Sequence, residues 1–140
     1  MDCVSLNVRG LNNPHKRKTL IQWIKNNKFQ IICLQETFLV KNKIKQFEAD
    51  WSGKCFHSTS NSSHCGGVSI LLNEKFYFNV INTVESNDGR ALLNISHHNQ
   101  TYTIVNLYAP NHEAGRICFF NYIKKWILQH SKNNSSYSLW

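Results

Sequence analysis

The sequence predicts an α/β fold, a layered sandwich of two β-sheets flanked by helices, and three observations carry that prediction. Short apolar runs at Ile31-Ile32-Cys33-Leu34 and Val68-Ser69-Ile70-Leu71-Leu72 are too brief for helices and rich in β-branched residues, as strands covered on both faces are. An amphipathic stretch from Lys16 to Asn26 separates the first run from an opening strand, Cys3 to Val8, so strand, helix and strand form a crossover unit. Farther on, Ala91 to Ser96 and Tyr102 to Leu107 form a hairpin around His97 to Gln100, which adds antiparallel pairing.

Each element has a local reason. The opening strand breaks at Arg9-Gly10-Leu11-Asn12-Asn13-Pro14, where Gly, Asn and Pro supply turn chemistry. Leu20, Ile21, Trp23 and Ile24 share one side of the following helix, which Asn26-Asn27 ends. The second strand runs straight into Glu36. Because parallel strands of a crossover unit end side by side, Asn7 and Glu36 are expected to converge. Lys41 to Trp51 reads as a short helix carrying Ile44, Phe47 and Trp51 inward, and Lys54 to Thr59 as extended chain. Ser58 to His64 is a polar loop, Gly66-Gly67 precedes the Val68 strand, and Phe76 to Val84 continues in β style. Asn87-Asp88-Gly89 reads as a turn. Glu113 to His130 is a helix with Ile117, Phe120, Ile123, Trp126 and Ile127 on one face, and Ser131 to Ser138 is a polar linker.

Composition narrows the function classes. With 140 residues, 41% of them hydrophobic and 17% charged, the chain builds one core and is not disordered. Sixteen Lys and Arg against eight Asp and Glu leave +8, which suits a polyanion, nucleic acid or an acidic membrane surface. Five cysteines with no Cys-x-x-Cys pair favour reduced thiols inside a cell. Cys55, His57, His64 and Cys65 carry zinc-ligand chemistry, but their spacing matches no common finger. No signal peptide and no membrane-spanning run is read, so Asn61-Ser62-Ser63 carries no glycosylation meaning.

Three segments then fall in register: Ser5-Leu6-Asn7-Val8-Arg9-Gly10-Leu11-Asn12, Leu34-Gln35-Glu36-Thr37 and Val105-Asn106-Leu107-Tyr108-Ala109-Pro110-Asn111. Their order and spacing resemble the endonuclease/exonuclease/phosphatase superfamily. Within it they look most like the apurinic/apyrimidinic-type endonuclease domain that opens the polyprotein of LINE-type, non-LTR retrotransposons. The Gly-Gly-Val-Ser-Ile-Leu strand and Asp88-Gly89-Arg90 fit the same pattern. The resemblance covers essentially the whole chain, residues 1–140, read as the N-terminal part of a single such domain.

What the resemblance implies is a metal-dependent phosphodiester hydrolase. Glu36 matches the glutamate that binds Mg²⁺, for which Mn²⁺ can substitute, and Asn7 matches the asparagine that organises the same metal and catalytic site. Tyr108 matches the tyrosine whose hydroxyl approaches the scissile phosphate, Asn111 the asparagine that hydrogen-bonds it, and Arg90 a recurring position near the DNA. Arg9 stands where some relatives carry a metal-supporting acid, and a guanidinium cannot ligate a cation. The family's water-orienting Asp-x-Asn and its later Asp-His pair are not matched, nor do His97-His98 or His112 replace them. The fold is therefore expected to be incomplete at the C-terminus, and these residues alone are expected to lack activity. The implied partner is DNA, nicked to leave a 3′-hydroxyl that primes reverse transcription. The rest of the nuclease domain and a reverse transcriptase are expected in the same polypeptide, with no membrane and no obligate protein partner. The setting is intracellular, nuclear when functional. The alternatives are a non-catalytic nucleic-acid-binding remnant using Lys16, Arg17, Lys18, Lys41, Lys43 and Lys45, and a phosphatase of the same superfamily acting on phosphoinositides.

Overall fold

The computed structural model describes residues 1–59, 66–86, 90–130 and 136–139. The chain opens with β1 (Cys3–Asn7), α1 (Pro14–Asn27) and β2 (Ile31–Gln35). β1 and β2 pair in parallel, from Cys3 opposite Ile31 to Asn7 opposite Gln35, as the crossover unit requires. Asn13 fixes the start of α1: its Oδ1 accepts from the N–H of His15 at 2.9 Å and of Lys16 at 3.2 Å, while Pro14 brings no N–H to satisfy. Lys28, left-handed at φ 58°, turns the chain back toward β2.

A 3-10 turn (Lys41–Lys43) and α2 (Ile44–Asp50) lead to β3 (Lys54–Ser58) and β4 (Val68–Leu72). β4 inserts antiparallel between β2 and β3, giving a first sheet ordered β1-β2-β4-β3. In the second sheet β5 (Asn79–Glu85), β6 (Arg90–His97) and β7 (Gln100–Leu107) run antiparallel, and β8 (Ser136–Leu139) joins β7 in parallel after α3 (Glu113–His130). His97 pairs with Gln100, so the β6–β7 turn is tighter than expected. Only His98 and Asn99 turn the chain, both left-handed as the strand twist favours.

Strand alternation deals the side chains into three apolar layers. Ile32, Leu34 and Leu71 face the helices, where they meet Ile21, Ile24, Phe47 and Trp51. Ile31, Cys33, Val68 and Ile70 point the other way, onto Leu93, Ile95 and Ile104 of the second sheet. Val105 and Leu107, on its far face, carry Ile123, Trp126 and Ile127 of α3. The layer order is helix, sheet, sheet, helix, as the sequence predicts.

Several details differ from the sequence reading. Residues 136–139 form β8 rather than linker, because backbone pairing at a sheet edge needs no apolar pattern; residues 131–135, like the turn at 87–89, lie outside the described residues. β5 begins at Asn79, not Phe76, since a turn closed by Asn73 occupies the intervening chain, with the Phe76 N–H bonded to the Asn73 carbonyl at 3.1 Å. On α3 only the second half is buried: Ile117 and Phe120 are 61% and 51% exposed. Trp23 of α1 likewise faces solvent rather than the core. Arg17, expected to meet phosphates, points inward instead. Its Nε lies 2.6 Å from Asp50 Oδ2 and its Nη1 donates to the Leu11 carbonyl at 3.1 Å, tying α1 to α2 and to the loop after β1.

His57 on β3 is buried, with Nδ1 2.7 Å from Ser69 Oγ and its ring edge-on to Phe47. Its Nε2 has no hydrogen-bond partner among the described residues. Burial pushes the imidazole down from 6.5 to about 4, so it is neutral in the fold at neutral pH. The unfolded chain then binds more protons between those two values. The His57 contribution to stability is therefore complete above about pH 6.5 and is lost as pH falls toward about 4, by up to roughly 3 kcal/mol. Glu85, whose carboxyl burial raises, acts in the opposite sense and cancels in a comparison with His57→Gln. In urea unfolding between about pH 7.5 and 4.5, the wild type should lose on the order of 2 kcal/mol more than His57→Gln; parallel profiles would contradict the account.

Candidate active site

Both sheets end on one rim, and hydrogen bonds between them make it so. Along β7 the residues Tyr102, Ile104, Asn106 and Tyr108 face the first sheet, and Asn106 is the polar member of that row. Its side chain is fully buried. Nδ2 donates to the carbonyls of Leu34 and Ser69, each at 2.9 Å, and Oδ1 accepts from Gln35 Nε2 at 2.6 Å. One amide thus joins β7 to both β2 and β4. A second tie lies at the other side of the rim: the Ser58 hydroxyl donates to the Ser86 carbonyl and accepts from the Arg90 N–H at 3.1 Å.

These ties bring three of the expected residues to one place. Asn7 ends β1, exposed, with Oδ1 accepting from the Arg9 N–H at 3.2 Å, so one carbonyl lone pair remains for a ligand. Glu36 follows Gln35, the β2 partner of Asn7, and is half-buried. Tyr108 follows Leu107 and packs against the layer between the sheets. Asn111 is carried farther out, exposed, on the loop to α3; its carbonyl accepts from Arg116 Nη1 at 2.6 Å, a contact local to the helix start.

Backbone bonding fixes the Glu36 segment from two sides. The Gly10 N–H donates to the Glu36 carbonyl at 2.7 Å and the Leu11 N–H to Thr37 at 2.9 Å, while the Thr37 and Phe38 N–H groups donate to Gly67 and Gly66 at 3.1 and 3.0 Å. The turns needed for this are left-handed at Arg9, Glu36 and Phe38 as well as at Gly10, Gly66 and Gly67. Non-glycine residues in that region cost of order 1 kcal/mol each and concentrate at functional sites. Gly67 is required: at φ 80° a Cβ would lie 2.7 Å from Thr37 Oγ1.

Arg90 departs from the expected arrangement. It lies on the α3 face of the second sheet, 8% exposed, with its guanidinium carbon 4.5 Å from the Tyr122 ring centroid and 5.5 Å from that of Trp126. Stacked there, it holds α3 against β6. Of the zinc-type cluster, His57 is turned to Ser69 and burial pushes the Cys55 thiol up to about 12, while His64 and Cys65 lie outside the described residues. Among the described residues no group of three or more His, Cys, Asp or Glu is placed to hold a metal. Asn106 and Gln35 were not singled out by sequence. The available signal was an amide at an inward position of an otherwise apolar and aromatic row.

Comparison with known proteins follows the same geometry. Residues 4–135 match the model of the Endonuclease/Exonuclease/phosphatase family. Over 124 residues the chain is 25% identical to the uncharacterized 149 kDa protein of transposon TX1 from Xenopus laevis, covering 88% of this chain and 9% of that protein. The structure of D. rerio TDP2 complexed with a single-strand DNA product superposes with a TM-score of 0.70 at 13% identity, covering 99% of this chain and 58% of that one. The mannosyl-6-phosphatase of Bacteroides thetaiotaomicron also gives 0.70, at 14% identity, covering 96% and 62%. At such identities these structures speak for the fold. The chain spans less than a tenth of the transposon protein and about three fifths of these solved chains.

Replacing Asn106 by Leu keeps the volume but leaves two strand carbonyls and the Gln35 amide without their buried partner. A buried polar group so orphaned costs about 1–3 kcal/mol. Chemical denaturation of Asn106→Leu should therefore show a loss of about 3 kcal/mol or more, and a loss below about 1 kcal/mol would mean that the bridge does not hold the sheets.

Proposed function

Because the chain belongs to the endonuclease/exonuclease/phosphatase family, we propose that residues 1–140 supply the metal-holding and phosphate-holding side of a Mg²⁺-dependent endonuclease site that hydrolyses a DNA phosphodiester. The observation that carries this reading is the convergence of Asn7, Glu36 and Tyr108 on one rim through β1–β2 pairing and the Asn106 bridge. Similarity to a transposon protein supports a mobile-element setting, in which a nick primes reverse transcription in the nucleus.

The donor set fits a hard cation. Mg²⁺ is commonly held by one or two carboxylates together with water and substrate phosphate, so a carboxylate at Glu36 and the amide oxygen of Asn7 suffice, and Mn²⁺ shares that preference. When bound, the metal supplies positive charge against the charge that develops on the phosphate. The chain does the rest by positioning. The clamped turn aims Glu36, and the Tyr108 hydroxyl and the Asn111 amide donate toward phosphate oxygens, Tyr108 from its place directly after β7 against the layer between the sheets. In this reading Arg90 steadies β6 beneath α3 and makes no phosphate contact.

The 140 residues contain no Asp-x-Asn and no Asp-His, the segments that orient and deprotonate water in the family. A general base contributes about 10²- to 10⁴-fold, so this chain alone is inactive in our reading. Purified chain should therefore nick supercoiled plasmid no faster than an EDTA blank, while Mn²⁺ binding, followed by its paramagnetic signal, should be weak and abolished in Glu36→Ala. Metal binding indifferent to Glu36→Ala would sink the assigned site. Nicking that disappears with EDTA and with Glu36→Ala would uphold the site and overturn the claim of inactivity. A panel of sugar phosphates and phosphoinositides separates a phosphatase from a nuclease.

A further inference from the structure

α1 carries a surface that chemistry on the rim does not use. Its buried face is formed by Arg17, Ile21 and Ile24. Opposite that face, His15, Lys18, Thr19, Gln22, Trp23 and Asn26 form an open, nearly flat surface. Their spacing of three and four residues makes them a single stripe along the helix.

Two features set this stripe apart from an ordinary solvated face. The first is Trp23, 42% exposed among polar neighbours and steadied by Phe29, whose ring centroid is 5.4 Å away. The second is charge: α1 reads PHKRKTLIQWIKNN and contains no acid, and Arg17 is already paired with Asp50. Lys16, Lys18, Lys25 and the capping Lys28 are left exposed along the helix and its end, and Lys18 shares the stripe with the tryptophan. The start of α1 is tied to the loop that leaves the rim, since Lys16 Nζ donates to the Arg9 carbonyl at 3.0 Å in the segment that follows β1.

From these observations we propose that the solvent-facing stripe of α1 binds single-stranded DNA running away from the rim, with His15 and Lys18 at phosphates and Trp23 as the platform on which a base stacks. A flat, half-exposed ring beside lysines suits an unpaired base and its backbone; in a duplex the base faces are occupied by their neighbours. At about 1.5 Å per residue the helix offers roughly 20 Å of track. A membrane surface fits less well, because insertion needs a broad apolar face and Trp23 is the one large apolar side chain of the stripe. The proposal rests on the reading that DNA is the substrate and adds where its unpaired strand lies.

The test is the affinity of purified chain for a labelled oligothymidylate of about 12 nucleotides across a salt series. Trp23→Ala should weaken binding at least about fivefold and Trp23→Phe should largely restore it. Lys18→Ala should lower the slope of log affinity against log salt by about 0.7. Gln129→Ala, exposed on α3 away from both the rim and the stripe, should leave the affinity unchanged. If the wild type binds the oligonucleotide while Trp23→Ala and Lys18→Ala bind as well as it does, the stripe is overturned and DNA as substrate stands. If no form binds any DNA, single or double stranded, both fail together. Binding to anionic vesicles, lost in Trp23→Ala, with none to the oligonucleotide, also overturns it.

Discussion

Apolar contact between two β-sheets is non-directional, so it holds the sheets together without saying how far along each other they sit. A buried carboxamide does say so. Asn106 has donors and an acceptor in fixed directions, and it satisfies them on Leu34, Ser69 and Gln35 at once. Any slip of one sheet past the other would break three hydrogen bonds in a place that water does not reach. The alignment of β1, β2 and β7 ends, and hence the approach of Tyr108 to Glu36 and Asn7, depends on that lock.

The remaining layers serve the same alignment. Arg17 ties α1 to Asp50 and to the Leu11 carbonyl, so the loop leaving β1 is fixed from the helix side as well as by its bonds to residues 36 and 37. On the opposite side Arg90 sits under Tyr122 and Trp126 and joins α3 to the first residue of β6. Each arginine therefore acts as a structural rivet, one through a carboxylate and one through aromatic faces. Left-handed turns at Arg9, Glu36 and Phe38 are tolerable because the frame around them is overdetermined.

Much of this was legible in the sequence. The crossover unit, the buried strand that is β4 and the β6–β7 hairpin follow from runs of apolar residues and their turn punctuation, since burial on one face or two writes itself into period and length; the insertion of β4 between β2 and β3 did not. Convergence of Asn7 and Glu36 followed from parallel pairing alone. Side-chain direction was harder to read. Ile117, Phe120 and Trp23 fit a buried face by spacing, yet the neighbouring layer does not extend over them. Arg17 and Arg90 looked like surface cations because sequence gives no sign of the acid or the aromatic rings waiting across a layer boundary. Asn106 was hidden for a related reason: two of its three partners are backbone groups on strands remote in the chain, and backbone groups leave no trace in residue type.

That remoteness has a bearing on how the molecule is assembled. β6 and β7 meet through a turn of two residues, so their pairing closes with little loss of chain freedom. The Asn106 bonds to Leu34 and Ser69 span 72 and 37 residues. Chain order thus divides the fold into a local hairpin that carries the amide and a distant surface that receives it. Bringing these parts together closes the longer loops and costs the more chain entropy. β1 and β2 already end side by side within the first sheet, so it is Tyr108, at the end of β7, that reaches the rim only when the sandwich closes.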